Sequence, residues 1–178
     1  MSKAKLKKEF SNLTKEQLTE VVLELYDSLK EVRDYFNFYL NPDSEKLFDK
    51  TVKLLDREMG RSSGHNSKAR ISRIRKILTN FESFHPDQKY VLLIYLQIIK
   101  FAVYYEGFYY QSSALANGID RILVALLEMG ERDLMLDHVI SELDKIFSLN
   151  RFGTSYYKNH LKEIINDFIS SSSASLGK

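Results

Sequence analysis

The sequence predicts an all-α protein, on three observations. Two prolines and seven glycines are too few in 178 residues to supply the turns of a sheet protein. No stretch keeps up a period-2 alternation of apolar and polar residues. Instead Leu18, Val22, Leu25, Leu29, Val32, Phe36 and Tyr39 recur at spacings of 4, 3, 4, 3, 4 and 3, one continuous stripe on a helix. Seven or eight helices are expected, arranged as an N-terminal antiparallel hairpin followed by a helical bundle.

The elements follow in order. A short helix is expected over about 3–11. Thr14 then reads as an N-cap, with Gln17 completing a capping box. The helix it opens carries the stripe to Tyr39 and stops at Asn41-Pro42, where proline withholds a hydrogen-bond donor and biases the residue before it away from helix. Asn41 as cap and Pro42 at the first position would start the next helix. That helix is marked by Phe48, Val52, Leu55 and Met59. Residues 15–59 therefore read as the hairpin. Residues 60–67 (GRSSGHNS) hold no large apolar group and read as a basic, flexible loop.

The bundle is expected over 68–169. Ser67 would cap a helix running to about Phe81, and His85-Pro86-Asp87 would open one to about 106. That second helix is apolar nearly all round, from Val91 to Val103, so it should lie at the centre. A helix from about 109 would end at Gly130. Two amphipathic helices then follow, about 131–149 and 155–169. Residues 170–178 are Ser-rich and read as a disordered tail, leaving one helical domain over 1–170.

Composition excludes several chemistries. Hydrophobic residues at 44% and charged residues at 28% are ordinary for a globular chain. Without cysteine there is no disulfide, no thiolate metal site and no thiol nucleophile. The lysine-rich first ten residues lack the apolar run of a secretory signal, and no apolar run approaches the ~20 residues that span a bilayer. A cytoplasmic protein without a membrane partner is the expectation. GxGxxG, P-loop and HExxH patterns are all missing. His65, His85, His138 and His160 are dispersed, and spacings such as His160 with Glu163 are common on charged helix surfaces. No catalytic set, metal or cofactor is expected, and a non-enzymatic protein is favoured.

The net charge of +2 conceals an asymmetry. From Arg57 to Lys76 seven cations face one acid, Glu58, so this window carries +6 and the remaining 158 residues sum to −4. On a helix, Ile71, Ile74, Ile77, Leu78 and Phe81 share one arc. Lys68, Arg73, Arg75 and Lys76 lie on the opposite one, with Arg70 near the apolar edge. Arg61, Lys68, Arg70, Arg73, Arg75 and Lys76 are the candidate contact residues for an anionic partner, either nucleic acid or an acidic protein surface. Arginine suits this, because its planar fork bonds phosphate and carboxylate bidentately. The opposing reading is a solvated face neutralised by acids such as Asp49 or Glu45.

Two further features of the sequence bear on partners. Phe101, Tyr104, Tyr105, Phe108, Tyr109 and Tyr110 put six aromatics in ten residues, but no cation lies among them. Core packing explains them better than base stacking. The stripe on 15–40 would run about 39 Å if helical throughout, and part of it is a candidate homodimer surface.

The N-terminal ~80 residues resemble an uncharacterised bacterial family known only as a domain of unknown function. The resemblance is carried by Leu6-Lys7-Lys8-Glu9, Leu13-Thr14-Lys15-Glu16-Gln17-Leu18 and Leu25-Tyr26-Asp27. It continues through Lys30-Glu31-Val32, Asp34-Tyr35, Phe38, Asn41-Pro42 and Lys46-Leu47, with the basic stretch Arg61 to Lys76 behind them. It implies a bacterial, cytoplasmic, helical protein and brings no activity, cofactor or catalytic residue.

Overall fold

A computed structural model of the chain describes residues 2–60, 69–104, 112–149 and 156–176. Among them are nine α-helices and no strand. The helical class is therefore as expected, and the count exceeds the expected seven or eight. Where the sequence reads as one domain over 1–170, the chain separates into two compact units, 1–43 and 44–178. The boundary falls within the expected 15–59 hairpin, just after Pro42.

The first unit holds α1 (Lys3–Phe10), α2 (Lys15–Ser28) and α3 (Lys30–Leu40). The Thr14–Gln17 capping box is present in both directions: Gln17 N–H donates to Thr14 Oγ1 at 3.2 Å, and Thr14 N–H to Gln17 Oε1 at 2.9 Å. The expected long helix over 15–40 is broken at Leu29, whose backbone is extended (φ −117°, ψ 115°). Neither proline nor glycine causes the break. The carbonyls freed in the last turn of α2 are taken by Arg33, which donates from Nη2 to Asp27 O at 2.7 Å and from Nε to Tyr26 O at 3.3 Å. Its guanidinium also lies 5.7 Å from the centre of the Tyr26 ring, and Tyr26 Oη meets Asn37 Oδ1 at 3.1 Å. One side chain thus supplies the donors that a straight helix would have supplied from its own backbone.

The second unit holds α4 (Ser44–Met59), α5 (Ile71–Glu82), α6 (Gln88–Tyr104), α7 (Ser113–Arg132), α8 (Leu136–Ser148) and α9 (Tyr156–Leu176). α6 is central, as its apolar circumference requires. It packs on α4, α7 and α8 and buries Leu92, Ile94, Leu96, Ile98 and Ile99. α7 in turn packs on α5, α8 and α9, burying Ile119, Leu123, Leu126 and Leu127. Leu55 and Met59 of α4, Leu143 and Phe147 of α8, and Leu161 of α9 complete the core. Phe101 packs against it, as expected, whereas Tyr104 is exposed; Tyr105, Phe108, Tyr109 and Tyr110 lie outside the described residues.

Several boundaries differ from expectation, each for a local reason. α4 begins at Ser44 rather than at Pro42, and the buried Ser44 hydroxyl accepts the N–H of Asp87 at 3.1 Å, just ahead of α6. α5 begins at Ile71, so its cap position is Arg70 and not Ser67, which lies outside the described residues. Gly130 does not end α7. It sits inside the helix, where a Cβ would come 3.1 Å from Val139 Cγ2 and 3.3 Å from Leu136 Cα, so its bareness lets α8 approach. The tail expected to be disordered from 170 is helical to Leu176. There Ser170 and Ser171 return their hydroxyls to the carbonyls of Asn166 and Phe168, so polar residues continue the helix.

Candidate anionic-partner interface

The helix α5 divides its circumference as its sequence requires. Ile74, Leu78 and Phe81 are buried, with relative exposures of 0, 6 and 1%, and Ile71 and Ile77 pack against the core beside them. Arg73, Arg75 and Lys76 are exposed on the remaining arc. At 100° per residue, Lys76 stands about 60° from Arg73 and Arg75 about 160° from it. The cations are therefore spread across the outer face rather than gathered into one row.

Glu58, near the end of α4, organises one edge of this face. Its Oε1 accepts the Arg70 backbone N–H at 3.1 Å, and its Oε2 lies 3.3 Å from Arg73 Nη1. Arg70 Nε is 3.8 Å from the same carboxylate. A carboxylate bonded to the cap residue's N–H does from a neighbouring helix what the glutamate of a capping box does from within. It also places negative charge at the positive end of α5. The acid side chain is only 13% exposed, while Arg70 and Arg73 are 56% and 58% exposed. The guanidinium groups therefore stay in water, where such pairs contribute about 0–1 kcal/mol. Arg75 and Lys76 have no ion pair among the described residues.

Of the six candidate residues, four are described. Arg70 and Arg73 share Glu58, while Arg75 and Lys76 face solvent. With Glu58 the four sum to +3. Arg61 and Lys68 lie outside the described residues. The acid on this face is Glu58, rather than the Asp49 or Glu45 that the sequence suggests. Its signal was present, since Glu58 is the sole acid of the basic window.

One pairing left no trace in the sequence. His160 of α9 lies with Nε2 3.0 Å from Asp120 Oδ2 of α7, forty positions away, and stacks on Tyr157 with ring centres 6.2 Å apart. No group of three metal-ligating side chains occurs among the described residues. Among those residues no helix is long and apolar enough to cross a membrane.

The comparisons with known proteins give one match. A model of a family of unknown function (DUF6155) covers residues 1–115, from α1 into the start of α7, with α5 inside it. No curated protein and no solved structure matches the chain. With well over half of its length matched, the chain belongs to the DUF6155 family of unknown function.

Proposed function

We propose that the protein is a non-enzymatic binding or adaptor module that engages an anionic partner, nucleic acid or an acidic protein surface, through the outer face of α5. The observation that supports this is the antipodal split of that helix. Ile74, Leu78 and Phe81 anchor it in the core while Arg75 and Lys76 face water without an ion partner among the described residues. Arg70 and Arg73 add two largely solvated guanidiniums, and Arg61 and Lys68 extend the run in sequence. If the partner is nucleic acid, log affinity should fall with log salt by roughly 0.9 per contacted duplex phosphate. Electrophoretic shift with mixed RNA and DNA pools tests this, comparing wild type with Arg73→Glu plus Lys76→Glu. No shift at low salt, or an undiminished shift in the double variant, removes the nucleic-acid form of the proposal. A pull-down against an acidic polypeptide such as poly-glutamate then tests the other.

A second reading, a helical assembly subunit that homodimerises through its N-terminal helices, is supported by the first unit. Its described residues include no buried side chain, yet Leu23, Leu25, Leu29, Tyr39 and Leu40 are 56, 41, 46, 67 and 68% exposed. A unit of this size rarely stands without a disulfide, a metal or a partner to cover it. Light scattering decides: a single species at 20.8 kDa excludes the dimer, and twice that mass, lost in Leu25→Glu, supports it.

A further inference from the structure

We infer that the groove between α6 and α8 is a binding site for a small amphipathic monocarboxylate. Two stripes with the same i, i+3, i+4, i+7 spacing line it: 93, 96, 97 and 100 on α6, and 142, 145 and 146 on α8 with 149 at its C-cap. Leu93, Leu96, Ile146 and Leu149 line it with apolar surface, joined by Phe48 from α4. Its volume is about 280 Å³, near the lower end for ligand sites. At ~30 Å³ per water-sized group, it takes a ligand of roughly ten non-hydrogen atoms.

The polar groups at the groove set the chemistry of the ligand's head. Lys145 is already engaged by Glu142, Nζ to Oε1 at 2.6 Å, so this pair is neutral as a unit. Lys100 has no ion pair among the described residues and is the groove's surplus charge. One turn before it, the half-buried amide of Gln97 has no hydrogen-bond partner among them either. An ammonium and an amide donor at i+3 and i, both open at the edge of an apolar floor, match a carboxylate with a short hydrocarbon or aryl tail. With the Glu142–Lys145 pair neutral, Lys100 is the one cation at the rim without an ion pair among the described residues, which matches a head of a single negative charge. This site is separate from the α5 face, and neither reading depends on the other.

Octanoate, with ten non-hydrogen atoms, is the probe. Amide-resolved NMR titration of the full chain should give saturable shifts centred on Gln97, Lys100, Ile146 and Leu149. Lys100→Gln alters an exposed side chain and should weaken octanoate at least ~10-fold, the lower end for a hydrogen bond to a charged group. Leu149→Glu should abolish binding, and Arg75→Glu plus Lys76→Glu should leave it unchanged. Octanol and octylammonium should bind more weakly than octanoate. Equal binding of either control, an unchanged affinity in Lys100→Gln, or no saturable shift at millimolar octanoate overturns the assignment.

Discussion

Ile71, the first residue of α5, seats its side chain directly on Gly118 of α7: a Cβ at position 118 would lie 2.1 Å from Ile71 Cγ1 and 2.4 Å from its Cδ1. The contact fixes where the basic helix starts. An isoleucine is stiff at χ1, so it cannot swing clear of an added methyl without moving its backbone. Gly118→Ala would gain about 1 kcal/mol of helix propensity in the middle of α7. Overpacking should cost ~1–3 kcal/mol and outweigh that gain. We therefore expect a net loss of stability in denaturant titration, reversed by adding Ile71→Ala to the same chain. A Gly118→Ala protein more stable than wild type would show that α5 is free to slide.

Glu58 holds two arginines with one charge, and this makes it a test of the interface that leaves the cations in place. Glu58→Gln keeps an oxygen for the Arg70 N–H and removes the charge shared by Arg70 and Arg73. The described cluster rises from +3 to +4. Because the arginines are more than half exposed, stability should fall by no more than about 1 kcal/mol. Retention on a heparin column should shift to higher salt, and binding of any polyanion should show a steeper salt slope. Unchanged elution would mean that this edge of α5 does not face the polyanion.

How much of this was legible depended on whether a feature was written locally. The capping box at Thr14 and the core stripe of α5 were readable, because each is a short pattern with a single physical consequence. The break at Leu29 was not. Its residues keep the helical stripe unbroken, and the carbonyls it frees are satisfied by Arg33, one of many surface arginines in appearance. Gly130 misled for the opposite reason. Glycine commonly ends helices, but here it serves close packing against Val139, and the helix ends beyond it at Arg132, capped by Asp133. At the candidate site the cations were evident while their assignment to Glu58 was not, since the acid sits on a different helix twelve and fifteen positions away. The groove between α6 and α8 is legible only once the two stripes are known to face each other.

Tyr95 gives a pH-dependent test of the contact between α5 and α6. The largely buried Tyr95 donates its hydroxyl to Glu82 Oε1 at 2.8 Å. Burial pushes the phenol well above its ordinary value near 10, and hydrogen bonding to Glu82 and its negative charge push the same way. A group whose pKa is raised on folding contributes stability that is complete below the unfolded value and declines once pH exceeds it. Wild type should therefore lose stability above about pH 10 more steeply than Tyr95→Phe. Below pH 9 the variant should be less stable by ~1.5–3 kcal/mol, the cost of removing a hydrogen bond to a charged acceptor. Parallel urea titrations at pH 7 and pH 11 measure both. A difference between the two proteins that does not change with pH would mean that the phenol is not protected on folding.

The end of α7 offers a gain in stability. Asp133 is its C-cap; the next residue, Leu134, has φ +57°, in the left-handed region, and its side chain is 95% exposed. Leu134 N–H donates to Glu131 O at 3.2 Å, and Met135 N–H donates to Gly130 O at 2.7 Å. These are the paired bonds of a Schellman motif, with leucine where glycine is usual. A side chain at left-handed φ costs roughly 1–2 kcal/mol, and this one recovers nothing by packing. Leu134→Gly relieves that strain but makes the unfolded chain more flexible, by ~0.5–1 kcal/mol. The balance should be a gain of about 0.5–1 kcal/mol, or roughly 1–4 °C in Tm for a chain of this size. Leu134→Ala is the control: it removes the exposed hydrocarbon but keeps the Cβ that causes the strain, so its Tm should stay near wild type. Equal gains in both variants would trace the effect to the lost surface leucine and not to its backbone.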